Sequence, residues 1–366
     1  MMSDFWTRYG LRCAKRANLS GPTVKISFFS FLLLGSIFCI TNSASALTVS
    51  PPTYEITAAP GQTLTTGLKI FNETNQGGTF YFDTQNFTAK GEEGEPNFVE
   101  ETEKTDLASW IQTPASIDLA PNELKKIDFT ISVPANADPG GHYAAIFLTT
   151  SPGAPGGGGS VGFTAKIGTL VLLRVEGAVI ETGNLTDFSV NNKSGIYSRL
   201  PVDFSVRINN PGTVYIKPSG KITISNMLGQ KSAELTVNIG KMPDGTYKPV
   251  GNILSKSARK FDESWIKTGT GDSPKNFFEE LKYEFNNFAL GRYSANLDLT
   301  YGASNDKKIA GALSFWVIPW RLLLVIFILF AVIAVILVGG IGRYNRWVIK
   351  KARESLEKEN KNQTPA

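Results

Sequence analysis

The residue types that most often carry catalysis are scarce in this chain. It contains one histidine, His142, and two cysteines, Cys13 and Cys39. A Ser-His-Asp triad would have to use His142, but the sequence lacks the Gly-x-Ser-x-Gly turn that presents the nucleophile in many hydrolases. His142 falls between two predicted strands, which favours a position in a surface turn.

Two other kinds of reactive site are equally poorly supported. The glycine-rich run at residues 151–160, SPGAPGGGGS, is followed by neither the lysine nor the helix start of a phosphate-binding loop. A glycosidase needs only two carboxylates and no motif, but small β domains with no evident inserted cleft offer such a pair little shelter. The sequence therefore predicts a protein that is not an enzyme, with no cofactor and no metal site.

The first 46 residues have the order of a secretory signal. Five basic residues lie between Arg8 and Lys25, and the apolar run Ile26–Ile40 follows them. Ala44-Ser45-Ala46 supplies the small-x-small pattern, so we predict cleavage between Ala46 and Leu47. The alternative is an uncleaved anchor. Because both cysteines precede the cleavage point, the mature chain would contain no disulfide.

A second apolar segment lies near the carboxyl end. The stretch from Leu322 to Ile341 carries no charge and is long enough to cross a hydrocarbon layer of about 30 Å as a helix. We predict a transmembrane helix with interfacial flanks at 315–342 and a cytoplasmic tail at 343–366. The positive-inside rule places the tail in the cytoplasm, because five basic residues follow the apolar segment: Arg343, Arg346, Lys350, Lys351 and Arg353. The expected topology is a single span with the N-terminal domains outside the cytoplasm.

The charge distribution argues against a nucleic-acid partner. The formal net charge is +5, of which residues 1–46 carry +4 and residues 315–366 carry +5. Residues 47–150 carry −9, and residues 183–314 carry +5. The positive excess thus lies at the two ends, where export and membrane orientation use it. Attraction between the acidic first domain and the basic second domain could support self-association.

The part between the two ends reads as β structure. Apolar Ile127, Phe129, Ile131 and Val133 alternate with polar residues, which places them on one face of a strand. Similar short strands recur between turn-forming Pro, Gly and Asn residues. The fold class is therefore predicted as all-β, with two tandem immunoglobulin-like β-sandwiches at 47–182 and 183–314 followed by one transmembrane α-helix.

Three segments within these domains leave alternatives. The glycine-rich run at 151–160 could be a domain boundary, but we favour a hairpin tip that lets Val161–Val175 pair with Tyr143–Thr150. The acidic stretch Glu92–Glu103 is interpreted as a solvated loop. The alternative is a calcium site, but the stretch lacks the alternating Asp/Asn-x-Asp order of calcium ligands. Phe278, Leu281, Phe285 and Phe288 have helical spacing, which predicts a short amphipathic helix or, alternatively, a strand with aromatic packing.

Several of these segments together resemble a known family. Pro60–Thr74 reads PGQTLTTGLKIFNET, Ile117–Tyr143 includes IDLAPNE and ISVPANADPGGHY, and the second domain contains INNPGTVYIKPSGKITISNMLGQ. With a signal peptide, an apolar helix and a basic tail, this order resembles the Gram-positive WxL-interacting surface proteins. It resembles the immunoglobulin-like domains of periplasmic pilus chaperones more loosely. The first resemblance implies peptidoglycan binding by the first domain and protein partners for the second.

The sequence thus predicts a membrane-anchored, extracytoplasmic adhesion scaffold of a prokaryotic cell surface. Its partner would be cell-wall polymer (peptidoglycan) or another surface protein, with the lipid bilayer as a further partner through the single span. The alternatives are a chaperone-like or secretion-associated protein that uses strand complementation, and a passive spacer. No individual ligand-binding residue is predicted.

Overall fold

A computed structural model describes residues 47–99, 103–150, 166–268 and 276–362 as two β-sandwich domains followed by a long helix. This confirms the predicted all-β fold class. Ala46 lies outside the described residues, and Leu47 is the first residue of strand β1. Cleavage between them stays a prediction.

The described residues of the first domain form ten strands and one short helix. They are β1 (Leu47–Ser50), β2 (Thr53–Ala58), β3 (Thr63–Asn72), β4 (Gly78–Lys90), β5 (Glu95–Phe98), α1 (Asp106–Trp110), β6 (Ile111–Gln112), β7 (Ser116–Leu119), β8 (Leu124–Ser132), β9 (Gly140–Thr149) and β10 (Ile167–Val175).

Two sheets enclose the core of the first domain. One has the order β1-β3-β8-β6, and the other has the order β2-β10-β9-β4-β5 with β7 also paired to β4. The predicted alternation in β8 is confirmed: Phe129 and Ile131 are almost completely buried among core side chains of both sheets. Burial of such side chains is the main favourable contribution to the stability of a sandwich.

The predicted hairpin is confirmed, since β9 and β10 pair antiparallel from Leu148 opposite Ile167 to Gly140 opposite Val175. The glycine-rich run that joins them lies outside the described residues. β10 also pairs parallel with β2. The strand that follows the glycine-rich run therefore belongs to the first sandwich. This agrees with a hairpin and not with a domain boundary at that run.

The second domain repeats the two-sheet arrangement. Its elements are β11 (Asn184–Val190), β12 (Ile196–Tyr197), β13 (Val202–Asn210), β14 (Ser219–Asn226), β15 (Lys231–Val237), β16 (Ile239–Lys241), β17 (Tyr247–Pro249), β18 (Ser257–Trp265), α2 (Phe277–Asn286), β19 (Gly291–Tyr301) and β20 (Lys307–Val317). The sheets have the orders β11-β13-β18 and β12-β20-β19-β14-β15, and β16 and β17 form a separate hairpin. In the core, the ring of Phe315 contacts the rings of both Phe204 and Trp265.

The last strand leads almost directly into the apolar helix. β20 runs to Val317, three residues past the expected domain end at 314, because Phe315 and Val317 keep the alternation and are buried in the second core. Helix α3 (Trp320–Asn362) contains Leu322 and Ile341 and continues through the basic residues from Arg343 to Arg353. Within the described part of the chain, it is the one helix long and apolar enough to cross a membrane.

Candidate functional site: the interdomain cleft

Strand β9 is apolar on both of its faces. Ala144, Ile146 and Leu148 point into the core of the first domain, whereas Tyr143 and Phe147 lie on the opposite face and are also buried. A sheet face that is exposed to water normally carries polar side chains at alternate positions. The second face of β9 is covered instead by β5, through ring contact of Phe98 with Phe147 at 4.8 Å, and by the second domain.

The space between this face and the second domain is the interdomain cleft. It encloses a cavity of about 220 Å³. Apolar side chains from both domains line it, namely Phe87, Leu170 and Leu172 from the first domain and Val250, Ile253 and Leu254 from the second. Cavities at domain boundaries with apolar walls and few polar groups are common binding sites.

Opposite charges hold the two domains together beside the cleft. Glu92, in the turn between β4 and β5, lies 2.7 Å from Arg207 of the second domain. Its backbone oxygen accepts a hydrogen bond from the Lys260 amide at 2.8 Å. Glu55 on β2 pairs with Lys217 at 2.5 Å. The interpretation of Glu92–Glu103 as a solvated loop is therefore wrong at its beginning, because Glu92 docks on the basic second domain within the same chain.

Arg259 crosses the boundary between the domains. Its guanidinium lies where a side chain at Gly94 would begin, with Cζ 2.2 Å from the position of a Cβ, and it also lies against Gly251. Gly94 has a φ of +81°, a conformation that glycine adopts without steric cost. Burial lowers the pKa of Arg259, and Glu93 partly offsets that effect. Nη1 of Arg259 donates a hydrogen bond to the backbone oxygen of Asn252 at 2.9 Å.

Two polar atoms on residues of the cavity wall have no hydrogen-bond partner among the residues that the structure describes. They are Nε of Arg259, a donor, and Oδ1 of Asn252, an acceptor, and both are buried. Most buried polar groups in folded proteins are hydrogen-bonded. A donor and an acceptor are also the complement of one peptide unit, whose carbonyl accepts and whose N–H donates.

A buried asparagine shapes the second-domain wall of the cleft. The Asn210 side chain is fully buried, and its Nδ2 donates to the carbonyls of Val214, Ile253 and Leu254 at 2.8 to 3.0 Å. Its Oδ1 accepts from the Gly212 amide at 2.9 Å. Because Ile253 and Leu254 line the cavity, Asn210 fixes the position of that wall.

The single histidine has a structural setting that the sequence did not indicate. His142 lies within β9, and its side chain is 13% exposed, so the expected surface turn is wrong. Its Nδ1 is 2.6 Å from Asp106 Oδ1, and its Nε2 is 2.9 Å from the Asp138 carbonyl oxygen. Burial alone would lower the pKa of His142, but the hydrogen bonds to Asp106 and Asp138 outweigh it, and the pKa is raised above 6.5.

This setting predicts pH-dependent stability of the first domain. A histidine whose pKa is higher in the folded state stabilises the fold when it is protonated. The stabilisation is fully present below the unfolded-state pKa near 6.5 and is lost as pH rises through the folded-state pKa. Denaturant unfolding across this range should therefore show falling stability. D106N should flatten the dependence, and an unchanged slope in D106N would contradict the assignment.

The residues singled out from the sequence do not meet at the cleft. Leu47 begins the edge strand β1, Leu322 and Ile341 lie within α3, and the five basic residues follow on the same helix. The sequence carried two signals for the cleft. One is the run from Tyr143 to Thr149, which is too apolar for a half-exposed strand, and the other is the opposite charge of the two domains.

Comparison with known proteins identifies no family. No protein-family model matches the chain, and no curated protein matches it. Among solved structures, the class 5 fimbriae chaperone CfaA is 10% identical, covering 73% of this chain and 98% of that chain with a TM-score of 0.33. The Salmonella enterica SafA pilin in complex with the SafB chaperone is 7% identical, with coverages of 75% and 98% and a TM-score of 0.30.

A partial match of a different kind is a family 123 glycoside hydrolase from Clostridium perfringens. It is 10% identical and covers 36% of this chain and 27% of that chain, with a TM-score of 0.25. Such similarities carry no conclusion about activity, so the cleft is interpreted from its own residues. The described part of the chain contains no group of three or more side chains suited to holding a metal ion.

Proposed function

We propose that this protein is a non-catalytic, membrane-anchored surface protein that holds an extended polypeptide segment of another extracytoplasmic protein in its interdomain cleft. Helix α3 would anchor it with the domains outside and the basic tail from Arg343 inside. Among the sequence-based alternatives, this is the chaperone-like or secretion-associated function, now assigned to a particular site.

The observation that carries the proposal is the apolar cavity between the domains. A cavity of 150 Å³ with Leu, Ile and Phe walls is large enough for benzene, so about 220 Å³ accepts one large apolar side chain. Arg259 and Asn252, polar residues of the same wall, would supply a donor and an acceptor to the peptide group beside that side chain. The cleft thus supplies both components needed for a polypeptide, an apolar pocket and backbone-type hydrogen bonds.

The edge of the sheet next to the cavity supports the same class of partner. β2 is the terminal strand of its sheet, and its first residue, Thr53, lines the cavity. A terminal strand can accept an extended segment through main-chain hydrogen bonds, with side-chain pockets giving specificity. A segment added along β2 would bring an alternate side chain to the cavity.

Cell-wall polymer fits the cleft less well. Sugar hydroxyls that leave water need hydrogen-bond partners. The side chains of Phe87, Leu170, Leu172, Val250, Ile253 and Leu254 offer none, although Thr53, Glu95, Asn252, Ser257 and Arg259 also line the cavity. The resemblance to WxL-interacting proteins leaves peptidoglycan binding by another face of the first domain as a separate hypothesis. We assign the cleft to protein and keep wall binding as an outcome of the test.

Filling the cavity is the direct test. A258F introduces a bulky ring at a half-buried residue of the cavity wall. A312F introduces the same ring at an exposed residue of β20 and is the matched control. Full-length protein in detergent would be immobilised and incubated with extracted surface proteins of the same organism and, separately, with purified cell-wall sacculi.

We expect the wild type and A312F to retain the same surface protein and A258F to lose it, while all three keep the same thermal stability. Retention of that protein by A258F would contradict the cleft as its site. Binding to sacculi alone, by all three proteins, would replace the proposal with wall binding. Binding to neither would leave a passive spacer.

A further inference from the structure

Helix α2 has its polar and apolar faces reversed relative to a helix packed on a water-soluble domain. Glu284 is its buried residue, and its carboxylate is completely enclosed. Phe278 and Phe285, which share a face about 100–120° around the helix from Glu284, are 78% and 69% exposed. Helices on soluble domains normally bury the apolar side and expose the charged side. The predicted amphipathic helix is therefore present, but its apolar face points away from the protein.

The buried carboxylates of α2 bind the start of the membrane helix. Arg321 lies 3.2 Å from Glu284 and 2.6 Å from Glu280, and the Leu322 amide donates to Glu284 at 2.9 Å. A carboxylate at a helix N-terminus satisfies an amide that has no partner within the helix. α2 is thus fixed at the point where α3 leaves the second domain, which places its apolar face at the level where a bilayer would begin.

Other exposed apolar side chains lie at the same end of the domain. In the turn between β14 and β15, Met227 and Leu228 are 67% and 75% exposed. Met227 lies next to Gly291. Gly291 pairs with Val317, which comes just before α3. We call this set the apolar end. It comprises Met227, Leu228, Phe278, Phe285, Phe288 and Ile318. Contiguous exposed apolar surface marks an interaction site.

We propose that the apolar end inserts into the outer leaflet of the membrane that α3 crosses, with α2 lying in the interface. Helices of this kind bury their apolar face in the boundary between headgroups and acyl chains. Lys282, exposed on the helix between Phe278 and Phe285, can reach the headgroups along its aliphatic stem. This second lipid contact would hold the two domains in a fixed orientation on the membrane instead of leaving them to swing on α3.

The inference rests on α3 crossing a bilayer, so the experiment tests the two separately. Full-length protein lacking its two native cysteines (C13S, C39S) would carry one environment-sensitive dye at F285C, L124C or I333C in lipid nanodiscs. Leu124 is an equally exposed apolar residue of the first domain, at 63%, and serves as the matched control. Ile333 lies within α3. Nitroxide-labelled lipids, with the nitroxide on the acyl chain, would report contact.

We expect the nitroxide lipids to quench the emission of a dye at position 285 or 333 and to leave the emission of a dye at position 124 unchanged. Emission at 285 as strong as at 124, with 333 quenched, would overturn the inference and leave the span intact. Unquenched emission at 333 would remove the bilayer crossing on which it depends. A dye at L228C, in the turn between β14 and β15, should be quenched as strongly as a dye at position 285. Unquenched emission at 228 would overturn insertion of the apolar end as it is defined above.

Discussion

Replacement of Asn210 by alanine should lower the free energy of unfolding of the second domain by about 4 kcal/mol. The substitution leaves the carbonyls of Val214, Ile253 and Leu254 and the amide of Gly212 without their side-chain partner. The carbonyls of Ile253 and Leu254 keep donors in the Ile216 amide and the Ser257 hydroxyl, so the cost falls mainly on the Val214 carbonyl and the Gly212 amide. Each unsatisfied buried group costs about 1–3 kcal/mol. Denaturant unfolding of full-length N210A in detergent measures the effect.

The same substitution should also abolish retention of the partner, because Ile253 and Leu254 form one wall of the cavity. Asn72 provides the matched control. It is equally buried and ties the carbonyls of Gln76 and Ala120 in the first domain, away from the cleft. N72A should lose comparable stability and, at temperatures where it is folded, still retain the partner. A destabilisation of N210A below about 0.5 kcal/mol, the size expected for an ordinary surface change, would contradict a structural role for Asn210.

Replacement of Arg321 by methionine should reduce the local stability of the contact between α2 and α3 by about 3 kcal/mol. The substitution leaves a buried carboxylate without its cation. The Glu284 side chain is 0% exposed and pairs with Arg321. Amide hydrogen exchange of α2 in nanodiscs would show the loss as faster exchange.

The control is K350M, which breaks the exposed 3.9 Å pair of Lys350 with Glu354 on the same helix and should change stability by less than about 1 kcal/mol. The double variant E284L/R321M removes both charges together and should recover part of the loss. Exchange of α2 that is the same in R321M and the wild type would show that the pair does not hold the helix.

The β-sandwich architecture was readable from sequence because alternation is a local property. The apolar positions of β8 and β13 face one core each, and their period of two needs no knowledge of distant strands. Turn residues around them have restricted backbone conformations that also act locally. The hairpin of β9 and β10 was predictable for a further reason, since a sheet missing β10 would lack its closing strand and leave one edge of β9 without a hydrogen-bonded neighbour.

The apolar run of β9 and the opposite charges of the domains point to a covered surface, but the residues that meet in the cleft were not readable, because they depend on how the two domains dock. Nothing local tells that Glu92 meets Arg207 or that Arg259 lies against Gly94. The reversed faces of α2 illustrate the same point: the period of Phe278, Leu281 and Phe285 predicts a helix, but not which side meets protein. The sequence around Arg321 likewise gives no indication of its carboxylate partners, which lie 37 and 41 positions earlier in the chain.

The most direct measurement of the central claim is photo-crosslinking in living cells of the native organism. A photoreactive phenylalanine analogue would replace Val250, which lines the cavity and is 54% exposed, so the cavity itself stays open. The control position is Ala312 on the exposed face of β20. Binding in the cleft predicts one protein adduct from position 250, absent from position 312 and from N210A carrying the analogue at 250. Adducts of equal yield at both positions, or none at 250, would contradict polypeptide binding in the cleft.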